Sequence, residues 1–236
     1  MLSIRNLTKL YGNVKAVDNL SLTVEDGDIY GFIGHNGAGK TTTIKSIVGI
    51  HSFDHGEILI DGMSVKEKPI ECKKITAYIP DNPDLYEFMT GSKYLNFVGN
   101  IFDVSADRRK SLIDNLSARL EIKDALSSPI SSYSHGMKQK LAIISALLHE
   151  PKLLVLDEPF VGLDPRAAHT LKEYMRELTT RGVSIFFSSH SLEVVEKLCN
   201  KIAIIKGGKL VDCGETSEII GNQSLEDVFL ELTDDE

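Results

Sequence analysis

A glycine-rich segment in the first quarter of the chain has the composition of a phosphate-binding loop. Residues Gly34–Thr41 read GHNGAGKT and match the pattern GxxxxGK[ST]. The segment follows a predicted strand, Asp28–Gly34, and precedes a predicted helix, as this pattern requires. Glycines let backbone N–H groups turn towards phosphate oxygens, and a helix N-terminus adds positive potential. We therefore predict a site for a nucleoside triphosphate; the alternative is an ordinary glycine-rich loop.

Two side chains of this loop are suited to the charged parts of such a ligand. Lys40 would place its ammonium group at the β- and γ-phosphates. The hydroxyl of Thr41 can bind Mg²⁺. The loop alone does not distinguish one family of nucleotide-binding proteins from another.

A pair of acidic residues follows an apolar run in the second half of the chain. Leu153–Pro159 reads LLVLDEP, which is typical of a buried strand with carboxylates at its carboxyl end. Ligands of open α/β sheets bind at that end of the strands. We predict that Asp157 holds Mg²⁺ and that Glu158 polarises an attacking water. The alternative is a strand end with two solvated acids.

One of the seven histidines stands in a comparable position. His190 follows the next predicted strand, after Ser188 and Ser189. Its imidazole could form a hydrogen bond with a γ-phosphate or with the attacking water. A single histidine can equally be a structural residue with its hydrogen bonds satisfied.

Composition excludes several other classes of protein. The chain has 236 residues, 26 basic and 34 acidic side chains, and a net charge of −8, which argues against a nucleic-acid partner. Cys72, Cys199 and Cys213 form no metal-binding or disulfide pattern. The longest apolar stretch, Leu141–Leu148, is far shorter than the ~20 residues that cross a bilayer. We expect a cytosolic chain that reaches a membrane only by docking on another protein.

The pattern of apolar residues predicts an α/β architecture with a helical insertion. From about Gly91, apolar residues recur at helical spacing, first around Tyr94–Phe102 and again around Leu112–Leu120. Helices are also predicted at Pro165–Thr180, at Leu192–Cys199 and after a capping box at Ser224 and Asp227. The predicted strands are Asp28–Gly34, Glu57–Ile60, Ile75–Ile79, Lys152–Leu156, Val183–Ser188, Ile202–Lys206 and Lys209–Asp212.

Two further motifs complete an ordered set. Tyr133–Gln139 reads YSHGMKQ before an apolar helical run, and Gly162–Pro165 reads GLDP after the acidic pair. From Tyr11 to the final helix, the chain resembles the nucleotide-binding subunit of an ATP-binding cassette (ABC) transporter. The resemblance implies a P-loop NTPase fold with a mixed sheet core, an N-terminal antiparallel β subdomain and an inserted α-helical subdomain. It also implies a single domain, in which residues 1–83 and 150–236 form the nucleotide-binding core and residues 84–149 the helical part.

The resemblance implies ATP and Mg²⁺ as ligands and assigns roles to individual residues. Asp157 matches the Walker B aspartate, Glu158 the catalytic glutamate and His190 the switch histidine. Thr41, Asp157 and Asp81 are the implied metal contacts. The implied nucleotide contacts within one chain are Tyr11, which would stack on adenine, and Gly34, His35, Asn36, Gly37, Ala38, Gly39, Lys40, Thr41 and Thr42.

The segment SHGMKQ stands where the family has its signature, usually LSGGQ. In the family, two such domains pair head to tail, and the signature of one covers the ATP held by the other. Ser134 and Gly136 would thus contact the nucleotide of a partner, either a second copy or a paralogous ATPase. His135 and Met137 depart from the signature, and this form resembles a branch that serves export-type permeases, including drug-resistance transporters.

Two of the implied contacts leave alternatives open. Asp81 stands where the family has its Q-loop glutamine; its carboxylate could bind Mg²⁺, or it could simply be a turn residue between Pro80 and Pro83. Tyr11 could serve core or loop packing instead of adenine binding.

We expect an ATP-hydrolysing subunit that drives a separate integral membrane permease, an exporter, from the cytoplasmic face of the cell membrane. Leu85, Tyr86 and Phe88 are predicted to be exposed and to form the docking surface for the permease. The alternatives are a soluble ABC ATPase acting on ribosomes or DNA, and a nucleotide-sensing module without transport.

Overall fold

The computed structural model describes residues 1–233, which form two β-sheets with helices packed against them. The first sheet is antiparallel, with strand order β2-β1-β4-β5. Its long strands β1 and β2 are joined by a tight turn in which Tyr11 pairs with Val14. The strands of this sheet are β1 (Leu2–Tyr11), β2 (Val14–Val24), β4 (His55–Ile60) and β5 (Met63–Ser64).

The second sheet is mixed, with strand order β10-β9-β3-β8-β7-β6. All neighbouring strands are parallel except β10, which is antiparallel to β9. Every residue of β3, β7 and β8 is buried, as expected for parallel strands covered on both faces. The strands are β3 (Ile29–Ile33), β6 (Thr76–Ile79), β7 (Leu153–Asp157), β8 (Ser184–Ser189), β9 (Lys201–Lys206) and β10 (Lys209–Glu215).

Helices connect the parallel strands, and the longest connection, between β6 and β7, carries three of them. Two short 3₁₀ segments, Lys123–Ser127 and Ile130–Ser132, lie in the same connection. The helices are α1 (Lys40–Ile47), α2 (Pro69–Ile75), α3 (Gly91–Ile101), α4 (Ala106–Arg119), α5 (His135–Leu147), α6 (Pro165–Thr179), α7 (Leu192–Leu198), α8 (Thr216–Ile220) and α9 (Leu225–Thr233).

The second sheet separates two hydrophobic cores. Because successive side chains of a strand point to opposite faces, Leu154 and Leu156 enter the core formed with the helices of the insertion. Leu153 and Val155 enter the core between the sheets. Apolar residues on both faces of β7 therefore hold its carboxyl end rigidly in place.

Most elements predicted from the sequence are confirmed. Each predicted strand overlaps an observed one, and Asp164 caps α6 by accepting a hydrogen bond from the Ala167 N–H at 2.8 Å. The capping box is confirmed as well, because Ser224 and Asp227 exchange hydrogen bonds at the start of α9.

Three details of the predicted structure are wrong. The N-terminal part forms long strands rather than only short ones, with register shifts in β1 where Asn6 takes a left-handed backbone conformation (φ 50°) that breaks the alternation. Ile75 ends a helix instead of opening a strand. Leu85 is buried in the core with the helices, so it is not part of an exposed patch.

Among residues 1–233, no helix has the length and apolar composition needed to span a lipid bilayer.

The packing of β8 gives a stability prediction. Phe186 is fully buried, with its ring centroid 5.3 Å from that of Phe32 and 5.9 Å from that of Tyr30. We expect Phe186→Ala to lower the free energy of unfolding by about 3–5 kcal/mol, measured by urea denaturation, because a large cavity would remain. Phe88 is 82% exposed. The matched control Phe88→Ala should change stability by less than ~0.5 kcal/mol; equal losses in the two variants would contradict the assigned core.

Candidate nucleotide-binding site

Three adjacent strands of the second sheet bring the predicted site residues to one edge. β3 leads into the glycine-rich loop, β7 ends at Asp157, and its neighbour β8 ends at Ser189, next to His190. A cavity of about 250 Å³ lies at this edge. It is lined by Ala16, His35, Asn36, Gly37, Gly39, Lys40, Thr41, Thr42, Asp81, Asp157 and Glu158.

The backbone of the loop requires glycine at particular positions. Gly37 and Gly39 have φ of 80° and 107°. Residues with a Cβ atom rarely adopt such positive φ angles. A Cβ atom at Gly39 would lie 2.4 Å from the carbonyl oxygen of Ala16, and one at Gly34 would lie 2.4 Å from that of Ile205. The loop is thus packed tightly against its neighbours, and its residues also line the cavity.

The N-terminus of α1 fits an anion. Gly39 is its N-cap residue and provides no side-chain hydrogen bond, and the first turn contains no acidic residue. The first N–H groups of a helix have no partners within it, and the helix dipole makes them attractive to negative charge. These N–H groups are therefore suited to bind phosphate oxygens, and that contact stays a prediction.

The side chain of Lys40 is buried beneath the loop. Its ammonium group donates hydrogen bonds to the carbonyl oxygens of Gly34 at 2.5 Å and of His35 at 3.3 Å. Burial lowers the pKa of Lys40, while the negative charges of Glu158 and Asp157 act in the opposite direction. A triphosphate at the loop would supply further oxygens to this cation and balance its charge.

Asp157 and Glu158 are held together by a serine that motif and spacing did not single out. The hydroxyl of Ser188 donates to Oδ1 of Asp157 at 2.6 Å and accepts from the backbone N–H of Glu158 at 3.1 Å. Glu158 takes a left-handed backbone conformation (φ 51°), which ends the strand alternation, and both acidic residues line the cavity. The only sequence signal for Ser188 is its place on β8 beside the end of β7.

Glu158 and His190 form a hydrogen-bonded pair. Nδ1 of His190 lies 2.9 Å from Oε2 of Glu158, and the backbone N–H of His190 donates to the same oxygen at 3.3 Å. Both residues line a second cavity of about 440 Å³, which shares Glu158, His35, Asn36 and Asp81 with the first. The imidazole therefore orients the carboxylate, and the ring is exposed enough to contact a ligand as well.

The acidic residues fit Mg²⁺ only in combination with a ligand. Within the described residues 1–233, no cluster of three or more Asp, Glu, His or Cys side chains could hold a metal ion by itself. Mg²⁺ commonly binds one or two carboxylates together with substrate phosphates. Thr41 and Asp157 both line the phosphate cavity and suit this arrangement.

Asp81 lies close to these groups. Asp81 lines both cavities. Burial, together with the negative charges of Asp157 and Asp81, raises the pKa of nearby Tyr78 to about 12. The contact of Asp81 with Mg²⁺ stays a prediction.

The structure does not bring Ser134 or Gly136 to the phosphate cavity of their own chain. Ser134 is exposed and caps α5, accepting a hydrogen bond from the N–H of Met137 at 3.3 Å. The imidazole of the next residue, His135, packs against Gly162 of the GLDP segment. It lies so close that a Cβ atom at Gly162 would come within 2.2 Å of Cδ2 of His135. Lys140 of α5 also forms an ion pair with Asp164 at 3.0 Å. Helix α5 and the GLDP segment are thus joined.

Tyr11 also lies outside the residues that line the phosphate cavity. It is 45% exposed at the end of β1, and its hydroxyl group lies 2.8 Å from Nδ1 of His51. Its ring is accessible, and stacking on adenine stays a prediction.

Comparison with known proteins places the chain among ATP-binding proteins. The family model described as "ABC transporter" matches residues 17–161. The chain is 37% identical over 214 residues to the uncharacterized ABC transporter ATP-binding protein YhcH of Bacillus subtilis, over 90% of this chain and 69% of that protein. It is 30% identical over 233 residues to the linearmycin resistance ATP-binding protein LnrL of Bacillus subtilis, over 99% of this chain and 75% of that protein.

A solved structure described as the ATP-binding subunit of an ABC transporter is similar over the whole fold. Its TM-score is 0.95 at 33% identity, with 99% of this chain and 100% of that chain covered. The P-loop NTPase architecture of the ABC ATPases, as predicted from the sequence, is confirmed.

The tight packing of the loop predicts a loss of nucleotide binding in Gly39→Ala. The added methyl group cannot fit beside the Ala16 carbonyl, so the loop must shift and its N–H groups lose alignment with the phosphates. Losing one charge-assisted hydrogen bond of ~1.5–3 kcal/mol should weaken binding of a fluorescent ATP analogue on the order of tenfold to a hundredfold.

The matched control is Gly182→Ala. Gly182 also has a positive φ of 84°, but its added Cβ would meet no atom within 4 Å. This variant should bind the analogue like the wild type, and unchanged binding by Gly39→Ala would contradict the role of the loop.

Proposed function

The chain belongs to the ABC transporter family, and we propose that it is the ATP-hydrolysing subunit that powers a separate membrane permease. The observation that carries this proposal is that the required chemical groups lie together at one edge of the second sheet. The buried ammonium of Lys40, the carboxylate of Asp157 and the hydrogen-bonded pair of Glu158 and His190 all lie there. Cation, metal ligand and general base are the groups that phosphoryl transfer to water needs.

In the proposed reaction, the loop N–H groups and Lys40 hold the β- and γ-phosphates of ATP. The hydroxyl of Thr41 and the carboxylate of Asp157 would hold Mg²⁺, which when bound neutralises negative charge on the phosphates. Ser188 keeps Asp157 in position through its 2.6 Å hydrogen bond.

Glu158 is proposed to accept a proton from the attacking water. The water oxygen bonds to the γ-phosphorus, the bond from that phosphorus to the bridging oxygen breaks, and ADP and inorganic phosphate leave. His190 holds Oε2 of Glu158 through both its backbone N–H and its ring, so the carboxylate keeps one orientation. A positioned general base contributes typically 10²–10⁴-fold to the rate.

We infer that the site is completed by a second copy or by a paralogous ATPase. Ser134 is exposed at the N-terminus of the 13-residue helix α5 and outside the cavity of its own chain, so it is available to a phosphate held elsewhere. The contacts of α5 with Gly162 and Asp164 would link its position to the segment that follows Glu158. We also infer that residues 84–149 act as one helical unit attached to the core of residues 1–83 and 150–236.

The proposed docking surface for the permease is an exposed aromatic patch, formed by Tyr86, Phe88 and Phe97. Phe88 is 82% exposed, and the ring of Tyr86 contacts both other rings. Exposed aromatic residues are enriched at protein interfaces. The similarity to LnrL, whose name states linearmycin resistance, supports an exporter. The chain would then act at the cytoplasmic face of the membrane, with no nucleic-acid partner.

The proposed role of Glu158 predicts that Glu158→Gln binds ATP but barely hydrolyses it. The amide keeps the shape of the side chain but cannot accept the proton of the water. We expect ATP hydrolysis, measured by phosphate release, to fall by about 10²–10⁴-fold, with the dissociation constant of ATP changed little.

Glu150→Gln is the matched control, because Glu150 has the same φ of 51° and pairs with Arg108 away from the cavity. It should retain full activity. Unchanged turnover in Glu158→Gln would remove Glu158 from its role, and absence of ATP binding and hydrolysis in the wild type would overturn the proposed function.

A contact between Asp81 and the metal predicts a changed Mg²⁺ requirement in Asp81→Asn. Removing the negative charge should raise the Mg²⁺ concentration for half-maximal ATP hydrolysis by about tenfold. Asp84 lies exposed in the same loop outside both cavities, so Asp84→Asn serves as the control. Identical Mg²⁺ curves for Asp81→Asn and the wild type would reject the metal contact.

A further inference from the structure

The C-terminal helix α9 touches the phosphate-binding loop. Nε2 of His35, the second residue of the loop motif, lies 3.1 Å from Oγ1 of Thr233. The His35 ring also packs against Phe229, with 4.9 Å between the ring centroids. The hydrogen bond joins residues 198 positions apart in the chain.

The direction of the hydrogen bond follows from the proton count of Thr233. Its hydroxyl donates its only proton to the carbonyl oxygen of Phe229 at 2.6 Å. Towards His35, the hydroxyl oxygen can therefore only accept. Nε2 of His35 must carry a hydrogen and donate it to Thr233.

Helix α9 is anchored independently of the loop. Leu225 is fully buried at its start, and the backbone N–H of Leu225 donates to Oε2 of Glu196 in α7 at 2.8 Å. Phe229 and Thr233 are also buried. The helix therefore offers a fixed support, against which the exposed side chain of His35 rests.

The backbone of His35 connects helix α9 to the ammonium group of Lys40. The carbonyl oxygen of His35 accepts hydrogen bonds from Nζ of Lys40 at 3.3 Å and from the N–H of Ala38 at 3.1 Å. Phe229 also lines the cavity that contains Glu158 and His190. A shift of His35 would therefore move its carbonyl oxygen, which accepts a hydrogen bond from the ammonium group of Lys40.

We propose that His35 is a positioning residue, which Thr233 and Phe229 of the C-terminal helix hold so that the loop keeps its phosphate-binding shape. The final helix thereby sets the affinity of the loop for the triphosphate. This inference rests on the proposed function, since it concerns the same nucleotide. It assigns a role to the C-terminal helix that none of the sequence motifs indicates.

The test compares Thr233→Val and Thr233→Ser in the full chain. Valine keeps the shape of threonine but cannot accept the hydrogen bond of His35, whereas serine can. Binding of a fluorescent ATP analogue should weaken roughly three- to tenfold in Thr233→Val, as expected for one neutral hydrogen bond, and recover in Thr233→Ser. The KM for ATP should rise in Thr233→Val while kcat at saturation stays unchanged, because Glu158 and His190 are intact.

Two further variants separate this role from a loss of stability. Thr179 ends α6 as Thr233 ends α9, and its hydroxyl likewise donates to a carbonyl of its own helix, that of Arg176. Thr179→Val should therefore bind ATP like the wild type. His35→Phe keeps an aromatic ring at an exposed position but loses the N–H donor, so it should weaken binding as Thr233→Val does even if the valine variant folds poorly.

Wild-type affinity in both Thr233→Val and His35→Phe, or an equal loss in Thr233→Val and Thr233→Ser, would overturn this inference. Either result would leave the proposed function standing as long as the wild type binds and hydrolyses ATP. Failure of the wild type to bind ATP would instead overturn the proposed function itself.

Discussion

The site depends on one buried cation. An ammonium group removed from water is costly unless it is hydrogen-bonded and paired. Here, the carbonyl oxygens of Gly34 and His35 bind Lys40, and Asp157 and Glu158 supply opposite charge nearby. This arrangement requires that the loop fold closely over the side chain, and the close approach to Ala16 and Ile205 excludes any Cβ at two of the glycines. The parallel register of β3, β7 and β8 then brings the cation and the carboxylates together.

Much of this edge could be predicted from the sequence because its determinants are local. The loop motif, the apolar run that ends in Asp157 and the strand before His190 each encode position and chemistry within a few residues. The contacts that orient them are not local. Ser188 bridges two strands, Glu158 leaves the strand through a positive φ, and His35 meets a threonine near the other end of the chain. Leu85 was wrongly predicted to be exposed because a single apolar residue in a loop does not reveal which core covers it.

In the proposed arrangement, a single chain would contact only one side of a bound triphosphate. The loop and the carboxylates of Asp157 and Glu158 line the phosphate cavity, and His190 lines the neighbouring one, whereas Ser134 is exposed at the start of α5 and outside both. Because α5 is joined to the GLDP segment, a phosphate bound by Ser134 of one copy would act on the segment that follows Glu158 in that same copy. ATP held between two copies would in this way connect the two sites. Its hydrolysis would remove the phosphate contact of Ser134 and so loosen the interface between the copies.

The most direct measurement mixes two inactive variants, Lys40→Ala and Ser134→Arg, and follows phosphate release from ATP. Lys40→Ala lacks the cation of the loop but keeps Ser134. Ser134→Arg keeps the loop intact but replaces the serine with a bulky side chain. If each site combines the loop of one copy with Ser134 of another, the mixture contains dimers with one intact site and regains hydrolysis that neither variant shows alone. If the mixture stays as inactive as its components, while wild-type protein treated in the same way is active, the shared site is contradicted.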